Sequence, residues 1–164
     1  MMNKLKLTLV FLLIATVTFA QKSPRKEAKG TIGDVSVAVD YSAPSVKGRT
    51  VWGGLEKYGK VWRAGADANT TFSFDKEVTV NGTKVPAGKY GFFIIPKEDG
   101  KWTVILNKKN DSWGAYSYDK SDDLLRLEVA PSFVDENQEM LTYTISGKGI
   151  EMAWEKARVF IPVN

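Results

Sequence analysis

Two stretches of the chain hold the residue types that recognition chemistry needs. In the first, Arg49 and Trp52 stand three apart in Gly48-Arg49-Thr50-Val51-Trp52-Gly53-Gly54-Leu55. Tyr58, Trp62, Arg63 and Asp67 follow in Tyr58-Gly59-Lys60-Val61-Trp62-Arg63-Ala64-Gly65-Ala66-Asp67. A guanidinium presents a planar fork of donors that matches carboxylates, phosphates and sugar hydroxyls. Trp and Tyr add flat apolar faces with a polar tip. Arg49, Trp52, Tyr58, Trp62, Arg63 and Asp67 therefore form a candidate set for binding a glycan, a peptide or another polar ligand. The same residues suit architecture as well. A glycine-rich loop lying on a β-domain needs large side chains to cover it, and an ion pair of Arg63 or Arg49 with Asp67 would tie it down.

The second stretch is Asn110-Asp111-Ser112-Trp113-Gly114-Ala115-Tyr116-Ser117-Tyr118-Asp119. Asp111, Trp113, Tyr116, Tyr118 and Asp119 make a secondary candidate cluster, its aromatics covering one end of the domain or lining a groove. With Asp122 and Asp123 nearby, the carboxylates suggest calcium. The spacing lacks the glycine and the distal glutamate of an EF-hand loop, and Asp is common in turns for its own reasons. No metal site and no cofactor are expected. Asp67 with Asp111 or Asp119 is one candidate pair for a carboxylate-dependent hydrolase, since such pairs leave little sequence signature.

What is missing narrows the chemistry further. The chain contains no histidine and no cysteine. The usual zinc, copper and iron ligand sets are therefore excluded, as are Ser-His-Asp and Cys-His catalysis. The 23 basic and 19 acidic residues are interspersed. Nucleic-acid binding needs a basic stripe or patch, and there is none.

The elements that must position these residues follow from punctuation and period. Lys4 and Lys6, an apolar run from Leu7 to Ala20 and the small residue Ala20 before Gln21 match a secretory signal. The apolar run is shorter than a membrane span, and no second one follows. Export to the periplasm or the exterior is expected, with cleavage near Ala20-Gln21. Residues 21–30 read as a loose polar lead-in, and residues 31–164 as one domain. Val35, Val37, Val39 and Tyr41 alternate with smaller or polar residues, the mark of a half-buried strand. Further strands are expected at 71–74, 78–80, 89–95, 102–106, 124–129, 141–146, 150–154 and 158–163, with a hairpin turn at Asn81-Gly82. Residues 151–157 fit a short helix equally well on periodicity. About nine short strands between Gly, Pro, Asn and Asp turns indicate an all-β antiparallel sandwich, here expected to be jelly-roll-like. Residues 45–70 have no clean period and form a long Gly/Trp-rich excursion, a length that marks functional or disordered loops.

Four stretches carry a resemblance to a known family: KGRTVWGGLEKYGKVWRAGADANTTFSF, VTVNGTKVPAGKYGFFIIP, WTVILNKKNDSWGAYSYD and LLRLEV. Through them the chain resembles the domain-of-unknown-function family numbered 2911, found in exported proteins of Bacteroidetes-type bacteria. The resemblance implies export and a single β-rich domain, and it carries over no activity. It marks Gly48, Arg49, Trp52, Gly53, Tyr58, Gly59, Trp62, Arg63, Gly65 and Ala66 as motif positions. Ala43 stands where relatives often have Arg, and Asp67 where they usually have Asn, which speaks against a shared catalytic carboxylate at 67. Three functions follow as expectations: an envelope binding module, a carboxylate hydrolase, or a structural assembly protein. The first requires several of the six residues to be exposed in one concave site with aromatic walls.

Overall fold

The computed structural model describes residues 22–164, and the expected leader 1–20 lies outside them. Among the described residues, apart from one 3-10 turn at Lys120–Asp122, the regular structure is all strand. Strands β1 (Arg25–Ile32), β2 (Val35–Ser42) and β3 (Thr71–Phe74) come first. A short hairpin follows, β4 (Val78–Val80) with β5 (Thr83–Val85). Then come β6 (Gly88–Ile95), β7 (Trp102–Asn107) and β8 (Asp123–Val129). Two long strands close the chain, β9 (Ser132–Ser146) and β10 (Gly149–Pro162).

One sheet has the order β1-β2-β3-β6-β7-β8, with every neighbouring pair antiparallel. Strands β9 and β10 form a second ladder, and Val80 of β4 bridges Val163 beyond the end of β10. The inward side chains of all these strands meet in one core. The order of the large sheet is a meander with β4–β5 as an excursion, and the jelly-roll part of the expectation finds no support in it. The Asn81-Gly82 turn is as expected. Both residues sit at positive φ, 46° and 84°, which the tight two-residue hairpin turn requires.

Three expectations are corrected. Residues 25–30 are not a loose lead-in but most of β1, paired from Arg25 with Ser42 onward. Their polar side chains are mostly exposed because only alternate positions meet β9. Where β1 crosses β9, a Cβ on Gly30 would stand 2.8 Å from Ile145. The strands expected at 150–154 and 158–163 are one continuous strand, β10, and the helix alternative for 151–157 is not taken. Ile150, Met152 and Trp154 point inward with period two, then Glu155 takes a positive φ of 52° in a bulge. The bulge shifts the inward set to Ala157, Val159 and Ile161, and that shift is what imitates a helical spacing. Finally, β9 starts at Ser132, where its exposed first half carries no hydrophobic period.

Packing is dominated by tryptophan. Trp52, Trp62, Trp102 and Trp154 are all buried, with ring centroids 4.6–5.7 Å apart among the touching pairs. Aromatic pairs at such distances add about 0.5–1.5 kcal/mol each beyond area burial. On the opposite face of the large sheet, Phe93 and Ile105 are also buried. Tyr118 packs edge-on to Phe93, which is how the 108–122 loop is held against that face.

Candidate functional site

The excursion is ordered by the sheet beside it. Residues Pro44 to Val46 run on from β2 and bond to β9, with Val46 N donating to Glu139 O and Leu141 N donating to Pro44 O. The chain then turns back along the edge of β6 left free beyond β3. There Trp62 and Ile94 exchange both backbone hydrogen bonds, at 2.8 and 2.9 Å. Ala64 follows in a left-handed conformation, φ 52°, which costs a residue with a Cβ roughly 1–2 kcal/mol. Its carbonyl accepts from two buried hydroxyls, Tyr143 at 2.7 Å and Thr70 at 3.1 Å. Burial pushes the Tyr143 pKa well above its usual value, so the donor proton stays in place. Gly65 next to it lies too close to Thr70 for any side chain, since a Cβ would meet Oγ1 at 2.6 Å. This anchored turn fixes where Arg63 and Asp67 point.

The same turn joins the two stretches separated in sequence. Asn69 N donates to Ser112 O, Gly114 N donates to Asp67 O, and Ala68 pairs with Trp113. The buried Asn69 side chain also accepts from Ser112 N. The 45–70 excursion and the 111–119 cluster are therefore one assembly.

The individual residues divide sharply. Trp52 and Trp62 are only 9% and 4% exposed and belong to the tryptophan core, so neither stands as an open aromatic wall, and of the two only Trp62 reaches the lining of a cavity. Apolar surface of that size gains more from burial than from standing in water. Tyr58 is partly buried and packs over Gly53. Arg49 is exposed, its Nε and Nη2 donating to the carbonyls of Val46 and Ser45. Arg63 is partly buried with an Nε that meets no partner, and Asp67 has a buried Oδ2 in the same condition. The expected ion pair of Arg63 or Arg49 with Asp67 does not form.

In the secondary cluster, Trp113 and Tyr116 are exposed, Tyr116 to 92%. Asp119 caps the 3-10 turn through Ser121, whose hydrogen bonds hold its carboxyl below the ordinary range. Tyr118 donates to Asp123 and accepts from Arg126. Asp111 is exposed at the surface.

Two cavities open beside the anchored turn. The larger, about 410 Å³, is lined by Lys22, Lys47, Arg49, Arg63 and Glu56, with Leu55, Pro44 and Met140 among its apolar walls. The smaller, about 280 Å³, is lined by Glu56, Val61, Trp62, Arg63, Ala115 and Tyr116. Glu56 and Arg63 are shared, so they form the partition between the two. Among the described residues, none of the four basic side chains forms an ion pair. The ammonium of Lys22 lies over the Trp113 ring, 5.5 Å from its centre. Burial raises the Glu56 pKa to about 7, against the opposing pull of Arg63 and Arg49.

Such a groove offers guanidinium forks and ammonium groups to an anion. A carboxyl able to donate as well as accept stands in the middle. Among the described residues Glu56 is the single carboxyl on the walls of either cavity, and Asp67, Asp111 and Asp119 line neither. Sequence reasoning missed Glu56, Lys22 and Lys47. Only the burial of Glu56 sets it apart, and no spacing encodes that.

The fold and groove define a compact all-β domain with a basic, two-chambered cleft. The chain belongs to the family described as Protein of unknown function (DUF2911), whose pattern matches residues 23–163. Comparison with curated proteins and with solved structures finds no match. Among the described residues no helix is long and apolar enough to cross a membrane.

Proposed function

We propose that the protein is a binding module of the cell envelope, and that its two-chambered cleft takes a polar ligand carrying an anionic group. One observation carries this reading. Among the described residues, the side chains of Lys22, Lys47, Arg49 and Arg63 line one cavity without an ion pair, the nearest carboxylate bond being from the backbone N–H of Lys47 to Glu139. Among the described residues the one carboxyl lining that cavity is Glu56, whose pKa burial raises to about 7. Four clustered cations raise the local potential and draw an anion in, and an arginine fork then holds it bidentately.

The recognition set differs from the six residues read in the sequence. Arg49 and Arg63 remain, Glu56, Lys22 and Lys47 join them, and Trp52, Trp62 and Tyr58 support from beneath. Asp67 shapes the turn through its carbonyl and its left-handed backbone. A titration of the purified protein with galacturonate, inorganic phosphate and a short acidic peptide, followed by amide NMR shifts, tests the reading. Shifts clustered at residues 47–49, 55–56 and 63–66 that vanish in Arg63→Gln support it. Uniform or absent shifts with all three probes refute it.

A further inference from the structure

The partition between the chambers points to the class of ligand. We infer that the two chambers are adjacent subsites for an acidic oligosaccharide, with Arg63 and Glu56 at the junction and Tyr116 as the platform for the second ring. This rests on the anion-binding reading above and narrows it.

A free anion would need only the larger chamber. Yet Arg63 and Glu56 face both, and the smaller chamber ends at Tyr116, a large aromatic side chain left 92% exposed. An exposed aromatic ring beside a polar cavity is placed to cover the apolar face of a flat ligand. Trp113, 57% exposed, lies under the ammonium of Lys22, which lines the larger chamber. Donors on Arg63 and acceptor oxygens on Glu56, beside the flat face of Tyr116, match the hydroxyls and C–H faces of a sugar ring. The surrounding cations match an acid group on it.

A peptide fits less well for a definite reason. Extended peptides are usually held by adding a strand to free backbone. The strand-like backbone of this cleft is already committed: Ala43 N donates to Pro24 O, Val46 N to Glu139 O, and Leu141 N to Pro44 O. Recognition here has to run through side chains.

The test uses calorimetric titration of the purified protein. Probes are galacturonic acid, its di- and trisaccharide, chondroitin sulfate fragments, a neutral oligosaccharide of matching length and tri-glutamate. The expected result is an affinity rise of about tenfold from the single acid sugar to the longer acidic chains. The neutral chain should not bind. Tyr116→Ala should abolish the gain with length and leave the single sugar unaffected, while Arg63→Gln should lose both. Tyr116 is so exposed that its removal does not threaten folding. If single acids bind through Arg63 but length adds nothing, or Tyr116→Ala changes nothing, the oligosaccharide inference falls and the anion reading stands. If tri-glutamate binds and the acidic sugars do not, the occupant is a peptide and the inference falls. If no probe binds in an Arg63-dependent way, both fall.

Discussion

A methyl group placed on Gly114 would stand 3.0 Å from Nη1 of Arg63, so it is this glycine that leaves room for the guanidinium beside the 111–119 loop. Gly114 also sits at φ 65° and donates its N–H to Asp67 O at 3.0 Å. Glycine is needed here twice over, for its backbone and for the room it leaves. Gly114→Ala should cost about 1–2 kcal/mol through the left-handed backbone and push Arg63 off its position. Urea unfolding reads the first effect, and anion titration the second. Unchanged anion affinity in the folded variant would show that Gly114 does not position Arg63.

Asp67 separates the architectural reading from the structure most directly. An Asp67 paired with Arg63 or Arg49 would cost about 3–5 kcal/mol to remove. Instead its buried Oδ2 lacks a partner and its φ is 55°, a region that Asn tolerates as well as Asp. Asp67→Asn should leave stability within about 1 kcal/mol of the parent, because no ion pair is lost and the amide takes the same shape and backbone conformation. A fall of several kcal/mol in urea denaturation would restore the ion pair.

Glu56 gives the protein a pH signature. Its ordinary value is 4.5 and burial in the fold raises it to about 7. Between those values the folded state holds a proton that the unfolded state has released. Its contribution to stability is therefore fully present below about pH 4.5 and is lost as pH rises through about 7. With partial exposure allowed for, the loss is about 2–3 kcal/mol. Glu56→Gln should flatten this part of the profile and be the more stable chain at pH 8. Anion affinity should fall over the same rise in pH in the parent and hold steadier in the variant. Parallel stability profiles for the two chains would contradict this account.

The sequence showed the strands and turns that local rules govern, such as the alternation of Val35, Val37 and Val39 and the Asn81-Gly82 hairpin. It also drew attention to the two loops that the structure joins, because glycines and arginines gather there. What it could not show was which face each aromatic turns to. Trp52 and Trp62 look like binding residues next to Arg49 and Arg63. They are core residues because Trp102 and Trp154, fifty and more positions away, arrive at the same place. Glu56 was hidden for the converse reason, since its neutrality depends on walls built by distant segments. The union of the 45–70 and 111–119 stretches rests on backbone bonds around Asn69, and backbone bonds of that kind leave no residue pattern.

The tryptophan core lies directly under the cleft, since Trp62 lines the smaller chamber and stacks on Trp154 at 5.5 Å. Trp154 is wholly buried and its indole N–H meets no partner. Trp154→Phe removes that unsatisfied donor and keeps an aromatic ring against Trp62, so the two effects offset and the cost should stay near 1 kcal/mol. Trp154→Ala opens a cavity and should cost about 3–5 kcal/mol. It should also free Trp62 to tilt into the space, drawing the chamber wall with it. Near-ultraviolet circular dichroism should then lose the signal of coupled indoles in Trp154→Ala and keep most of it in Trp154→Phe. Acidic-ligand affinity should follow the same order, weakened in the alanine variant and nearly preserved in the phenylalanine one. An alanine variant that stays folded and binds as tightly as the parent would show that the core supports the fold without shaping the cleft.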